Sequence, residues 1–246
     1  MHAQVSIPKW LQEWFENMGI MLWGAADLRE FDTPSIDQYG RLPYALSWAI
    51  PMSAEIMAQV GLQGPSQAYA KEYVRVNSSI TEQAKSLESL LISQGYRAWA
   101  MPVSKRTDPV GIKGDFPHKT AATKAGLGWV GRNCQLVTRR YGPWVRLGTV
   151  FMDLSLGCGP VMDRHFCGKC KRCVEACPAG ALSGRSWHPG LPRENILDPG
   201  LCDWWKKEHY YQFNDGHNCA ICSGVCPYGL KRLKGQKQVL RLNFGV

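Results

Sequence analysis

Cys167-Gly168-Lys169-Cys170-Lys171-Arg172-Cys173-Val174-Glu175-Ala176-Cys177-Pro178, answered by Cys219-Ala220-Ile221-Cys222-Ser223-Gly224-Val225-Cys226-Pro227, decides how this chain is read. Eight of its ten cysteines lie from Cys167 to Cys226, with Cys202 alone between the two runs. The first run has the bacterial iron–sulfur spacing, whose fourth cysteine ligates the other cluster of a pair. Three thiolates at two-residue gaps can surround one cubane from a single loop. A fourth at a three-residue gap, with a proline that stops local helix, points away. One cluster is therefore expected on Cys167, Cys170, Cys173 and the crossing Cys226. The other is expected on Cys219, Cys222, the crossing Cys177 and the lone Cys202. Eight cysteines divide into two fours with none left over.

Zinc is the main alternative, since paired C-x2-C also marks zinc ribbons. It accounts for the pairs but not for two C-x3-C-P endings. Ten cysteines in 246 residues fall well below the density of disulfide scaffolds. Met1 to Leu28 is amphipathic, carries acids and lacks the basic start and apolar middle of a secretory signal. With no twin-arginine motif either, a reducing cytoplasm is expected. There is no run of 18 apolar residues to span a membrane. The formal charge of +9 falls to about +5 once two cubanes of about −2 each are counted. The remaining field suits an acidic electron donor or a polyanionic substrate, and equally an ordinary solvated surface.

Along the chain, Trp10, Leu11, Trp14, Phe15 and Met18 recur at helical spacing until Gly19. Ile20 to Ala26 is expected as a short strand, Asp32 to Arg41 as loop, and Tyr44 to Ile50 as a buried strand. Tyr69, Tyr73, Val76, Ile80, Ala84, Leu87 and Leu91 form one face of a long helix capped by Ser66 and ended by Gly95. Tyr96 to Met101 reads as strand, residues 102–117 as irregular loop, and His118 to Ala125 as a short helix. Cys134 to Thr138 and Val145 to Phe151 are expected as two strands around Tyr141-Gly142-Pro143. The chain is thus α+β: an α/β domain over residues 1–157, then a bacterial 2[4Fe–4S] ferredoxin-like domain over residues 158–246.

Gly126-Leu127-Gly128-Trp129-Val130-Gly131 matches G-x-G-x-x-G, but helix precedes it and strand follows, the reverse of a dinucleotide site. What remains is a glycine-rich loop whose backbone can approach something flat and large. The run from His118 through Gly126-Leu127-Gly128-Trp129-Val130-Gly131-Arg132-Asn133, with the eight-cysteine frame behind it, resembles the epoxyqueuosine reductase family. More distantly it is similar to cobalamin-dependent reductive dehalogenases. The resemblance implies a nitroreductase-like N-terminal domain holding base-off cobalamin, fed with electrons through the two clusters. It also implies that Gly126, Leu127, Gly128, Trp129, Gly131, Arg132 and Asn133 line the corrin pocket, with Arg132 at its periphery. A ferredoxin- or flavodoxin-type donor is expected, with a small-molecule or modified-nucleoside substrate; transfer RNA is the family's own.

Two departures stand out. The family's proton-donating aspartate has no counterpart in Trp99-Ala100-Met101-Pro102. The sequence to Val246 does not include the helical-repeat domain of longer members, so a short form is expected. Asp108 and Asp115 are substitute acids, although loop aspartates more often cap turns. His118 is a candidate relay, although a histidine at a helix start is more often a cap. Dehalogenases resemble one another in using a tyrosine acid beside a basic group; of Tyr44, Tyr69, Tyr73 and Tyr141, the last follows Arg139 and Arg140. Cys134 and Cys158 carry no assigned role. Trp204, Trp205, Tyr210, Tyr211 and Phe213 are expected to shield the second cluster. The basic tail of Lys231, Arg232, Lys234, Lys237 and Arg241 reads as a solvated terminus before a nucleic-acid contact. The leading expectation is a corrinoid-dependent iron–sulfur reductase. The alternatives are an electron-transfer protein or reductive activator, and a corrinoid-binding or delivery protein.

Overall fold

The computed structural model describes residues 7–36 and 40–233. It divides into two compact units whose segments interleave along the sequence. One comprises Met1–Ile50, Val76–Leu127 and Arg146–Met162; the other comprises Pro51–Arg75, Gly128–Val145 and Asp163–Val246. The single break expected near residue 157 is replaced by this alternation.

The first unit begins with α1 (Lys9–Asn17), which buries Leu11, Trp14 and Phe15 and is followed by Gly19 at φ +65°. Its sheet has the order β1–β4–β8–β5, from β1 (Trp23–Asp27), β4 (Tyr44–Pro51), β8 (Val145–Met152) and β5 (Ala98–Ala100). β1 runs antiparallel to β4 in the register Trp23↔Trp48, and β5 antiparallel to β8 in the register Ala98↔Met152. The region expected as loop before β4 contains a small antiparallel pair, β2 (Ser35–Ile36) and β3 (Gly40–Arg41).

The helical periodicity seen in the sequence becomes α3 (Gln67–Ser93). Its Ser66 Oγ accepts from Tyr69 N, and Val76, Ile80, Ala84, Leu87 and Leu91 pack with Leu11, Phe15, Leu46, Trp48 and Val150 in one core. Each such side chain removed from water contributes on the order of 1.5–3 kcal/mol. Trp48 lies flat over Gly148, where a Cβ would stand 2.2 Å from its ring. The indole Nε1 donates to Gln83 Oε1 at 3.0 Å. The short α4 (His118–Lys124) packs on β1, where Gly24 leaves room for the Ala125 carbonyl.

The second unit uses α2 (Ala54–Gln63), absent from the sequence expectations. Ser53 caps it through Ile56 N, and Met57, Val60, Tyr69 and Trp144 form its core. Here too are β6 (Trp129–Val130) and β7 (Leu136–Val137), paired antiparallel. Of the two strands expected around Tyr141-Gly142-Pro143, the first is reduced to Leu136–Val137 and pairs with Trp129–Val130, while the second, Val145–Met152, enters the four-stranded sheet. Cys134 at φ +59° forms the turn between β6 and β7. The cysteine segment adds α5 (Arg172–Glu175), α6 (Pro199–Tyr210) and α7 (Ile221–Gly224).

Gly61 of α2 and Gly224 of α7 bring the two helix backbones into close contact. A Cβ on Gly61 would lie 2.6 Å from Gly224 C, and one on Gly224 would lie 2.4 Å from Gly61 N. Trp144 is fully buried and donates through Nε1 to Ser223 O at 2.7 Å. Residues 51–75 and 128–145 therefore fold with the cysteine segment because small residues and one indole hold its second run. Among the described residues, no helix is long and apolar enough to cross a membrane.

Candidate iron–sulfur centre

Displacing the first cysteine run by 49 positions superposes it on the second. Cys170, Cys173 and Cys177 correspond to Cys219, Cys222 and Cys226, and α5 corresponds to α7. The hydrogen bonding repeats as well. Cys177 N donates to Val174 O at 3.2 Å and Cys226 N to Ser223 O at 3.1 Å; Gly180 N and Gly229 N then return to the Cys177 and Cys226 carbonyls at 3.1 and 3.0 Å. Each crossing cysteine thus sits just past a short helix, fixed from both sides before its proline. Cys167 has Gly216 as its counterpart. A Cβ there would meet Lys207 Cα of α6 at 2.8 Å, and α6 carries Cys202. Asp198 opens that helix by accepting from Leu201 N at 2.9 Å. The helix packed against that position carries Cys202, whose thiol lies within electrostatic reach of Cys177 and Cys219.

Several of the thiols are buried and lie within electrostatic reach of one another. Burial pushes Cys173 up to about 11, and Cys167, Cys226 and Cys170 push the same way. Burial likewise lifts Cys219 to about 11, with Cys202 and Cys177 adding to it. Cys222 is raised well above the usual thiol range by burial, then by Cys219, Cys202, Cys177 and finally Cys173. Thiols crowded out of water resist ionising alone and require a cationic centre as thiolates. A cubane takes one thiolate on each of its four irons, so eight cysteines at ferredoxin spacing have the donor chemistry for two of them.

The residues named for a corrin pocket are occupied otherwise. A Cβ on Gly126 would meet Pro160 O at 2.7 Å, on Gly128 would meet Val137 O at 2.3 Å, and on Gly131 would meet Asn133 Oδ1 at 2.7 Å. The glycines give way to the chain's own backbone and side chains. Leu127 and Trp129 are buried. Asn133 accepts from Gln135 N at 3.2 Å and donates to Cys222 O at 3.4 Å. Arg132 spends four of its five N–H donors on the first cysteine loop: Nε to Gly184 O (2.9 Å), Nη1 to Gly168 O (2.7 Å) and Cys170 O (3.1 Å), and Nη2 to Ser186 Oγ (2.9 Å). In place of a corrin periphery, Arg132 binds that loop. The part of the motif from Gly128 onward is a cradle for the cysteine frame.

Of the four proton-donor candidates, Tyr141 belongs to the second unit and His118, Asp108 and Asp115 to the first. Asp108 accepts from Gly111 N at 2.7 Å, a bond that lowers its pKa with help from Lys113. It is a turn-forming carboxylate, ionised and poorly placed to donate. Asp115 is exposed. Arg140 and Arg232 lie over the Tyr141 ring, each 5.3 Å from its centroid, and Arg232 also donates to Met52 O at 2.8 Å. Beside Trp99, where the sequence lacks an acid, Glu88 of α3 reaches in and accepts from Ala100 N at 2.8 Å.

His118 shares a hydrogen bond with Thr149 Oγ1 at 2.8 Å. Desolvation, assisted by Arg146, holds its pKa down at about 4. Unfolding releases it to its usual 6.5, so between these values the unfolded chain binds the extra proton. Its contribution is complete above pH 6.5 and is lost as pH falls toward 4. Denaturant titrations should therefore show His118→Gln losing about 1 kcal/mol less stability than the parent between pH 8 and 5.5. Equal losses would remove the buried neutral imidazole from this account.

Cys134 is buried and close enough to Cys202 to act on its charge, a ninth thiol beside the second set that spacing did not assign. Cys158 is exposed, folds with the first unit and has Asp27 and Arg29 as electrostatic neighbours. The expected aromatic shield is partial. Trp205 stacks on His209 at 3.7 Å, but Trp204 and Tyr211 are 52% and 64% exposed. Lys234, Lys237 and Arg241 lie outside the described residues.

Comparison with known proteins agrees with this centre. A family model described as a 4Fe-4S double cluster binding domain matches residues 166–229. Epoxyqueuosine reductase of Synechocystis sp. is 34% identical over 127 residues, 47% of this chain and 40% of the relative. Tetrachloroethene reductive dehalogenase of Dehalobacter restrictus is 35% identical over 123 residues, 44% of this chain and 21% of the relative. The chain thus spans less than half the length of these curated relatives. In fold it is similar to epoxyqueuosine reductase solved with an epoxyqueuosine-modified tRNA-Tyr stem loop (TM-score 0.61, 18% identity, 90% of this chain and 64% of that one). It is also similar to the catabolic reductive dehalogenase NpRdhA (TM-score 0.68, 18% identity, 92% and 33%).

Proposed function

We propose that this chain is an iron–sulfur oxidoreductase of the epoxyqueuosine reductase and reductive dehalogenase kind, taking electrons from an external protein donor. The observation that carries the reading is the eight-cysteine frame, matched over residues 166–229 by a 4Fe-4S double cluster binding model; the thiol neighbours of Cys173 and Cys219 support a crossed division into two fours. Bound [4Fe–4S] centres supply one-electron transfer at potentials reaching roughly −700 mV. The chain's part is to seat them, hold them apart from solvent and set their surroundings.

The electron donor docks at the first cysteine loop. Lys169, Lys171 and Arg172 are exposed there and have no ion-pair partner among the described residues. Three cations beside a cluster ligand loop attract an acidic carrier and speed its encounter. Reversing all three to glutamate should slow reduction by an acidic ferredoxin at least tenfold at low salt, while chemical reduction by dithionite stays unchanged. The parent's rate should fall with added salt and the variant's should not. A variant as fast as the parent would place the donor elsewhere.

The terminal acceptor is proposed as cobalamin on the likeness to a dehalogenase described as B12-dependent. Bound cobalamin would supply the low-valent cobalt chemistry of such a reductase. Epoxyqueuosine in transfer RNA is the first substrate to test, given the tRNA-bound relative, with Tyr141 as the candidate proton donor. A second reading, an electron-transfer protein feeding a partner enzyme, is favoured by the lack of an acid at Trp99–Pro102.

Anaerobic reconstitution followed by addition of cobalamin and the modified stem loop separates the readings. A base-off Co(II) resonance with turnover of the stem loop is expected. Eight irons with no corrinoid bound would leave the electron carrier.

A further inference from the structure

Buried donors without acceptors are rare, because each forfeits the hydrogen bonds it would make with water. Among the described residues three buried side-chain N–H groups have none: Trp129 Nε1, Trp205 Nε1 and Asn218 Nδ2. Trp205 is set aside, because the Tyr210 hydroxyl lies close enough to act on it. The other two flank the two thiol sets, one each.

Trp129 is fully buried. Its indole packs edge-on between Phe166, at 5.1 Å between centroids, and Tyr228, at 4.9 Å. Phe166 precedes Cys167 and Tyr228 follows Cys226 by two residues, and both cysteines belong to the first set. The Tyr228 hydroxyl closes the box by donating to Phe166 O at 3.1 Å. An indole N–H can only donate, and here protein offers it nothing. Asn218 directly precedes Cys219 and is 1% exposed. Its Oδ1 already accepts from Asn214 Nδ2 at 3.0 Å, which leaves its own Nδ2 unused.

Cluster sulfides and ligating thiolates are acceptors, and hydrogen bonds to them raise the reduction potential by stabilising the more negative reduced state. We infer that Trp129 Nε1 donates to a sulfur of the Cys167–Cys170–Cys173–Cys226 centre and Asn218 Nδ2 to a sulfur of the Cys177–Cys202–Cys219–Cys222 centre, one tuning donor on each. The inference rests on the two-cluster reading.

The test uses the full chain, reconstituted anaerobically, as parent, Trp129→Phe and Asn218→Ala. Iron, sulfide and the reduced-state resonance come first: a parent that takes up no cubanes fails the two-cluster reading itself. With eight irons kept, Trp129→Phe should lower the midpoint of one centre and Asn218→Ala that of the other. Unmoved midpoints, or both variants shifting the same centre, overturn the inference. If Trp129→Phe fails to hold its clusters, the parent labelled with nitrogen-15 in its tryptophan indoles decides. A nitrogen coupling to a reduced centre in pulsed electron-spin spectra supports the donor, and its absence rejects it.

Discussion

Cys202→Ser is expected to yield a folded, still coloured chain with roughly four irons instead of eight. Cys226→Ser should give the same count but strip the other centre. The two singles should then leave different resonances behind, and the double variant should be nearly colourless. The argument rests on the 49-residue register between the runs. Gly216 stands where a third cysteine of the second run would be, and α6 packs against it, bringing Cys202 to the set that Cys177, Cys219 and Cys222 form. Cys226 has Cys167 and Cys170 as electrostatic neighbours. If each run were self-contained, Cys226→Ser would damage the same centre as Cys219→Ser. Iron content and electron-spin spectra of the singles distinguish the two wirings.

Gly224→Ala should destabilise the second unit by about 3 kcal/mol or more, at the upper end of overpacking costs. The obstacle is backbone, not a side chain that can rotate. The new methyl would lie 2.4 Å from Gly61 N and 2.8 Å from Met57 O, so α2 must move or α7 must unwind. Because α7 carries Cys222, cluster retention should fall with stability. Gly61→Ala meets the same wall from the other side, 2.6 Å from Gly224 C. Gly200→Ala is the control: it is exposed in the first turn of α6, its Cβ nearest to Asp198 Oδ1 at 3.4 Å. It should be neutral or slightly stabilising. Thermal unfolding followed at the cluster absorbance compares all three, and an unaffected Gly224→Ala would mean the helices do not cross there.

What the sequence disclosed was local. The cysteine gaps set the ligand geometry within a few residues, and the face running from Val76 to Leu91 announced α3 by period alone. The contextual argument against a nucleotide site also held, since α4 precedes Gly126 and β6 follows Gly128. What stayed hidden depends on contacts between distant segments. Ala-Glu-Ile-Met-Ala-Gln-Val-Gly-Leu-Gln, residues 54–63, shows no sharp amphipathic stripe. It is covered on one side by α7 through the Gly61–Gly224 contact, which no local pattern marks. The same applies to the interleaving of the units and to β7 turning back on β6. Arg132 was legible as a cation in a glycine loop, but its acceptors are carbonyls 36 to 52 residues downstream. Trp129 and Asn218 carry no sequence signal as donors; only their buried, unmatched N–H groups mark them.

Iron and acid-labile sulfide, counted together with the spectrum of the dithionite-reduced chain, bear most directly on the paired centres with exchanged ligands. About eight of each per chain, with the broadened signal of two interacting cubanes, is the predicted outcome. A folded chain that binds zinc or nothing, and stays colourless under anaerobic iron and sulfide, would contradict it.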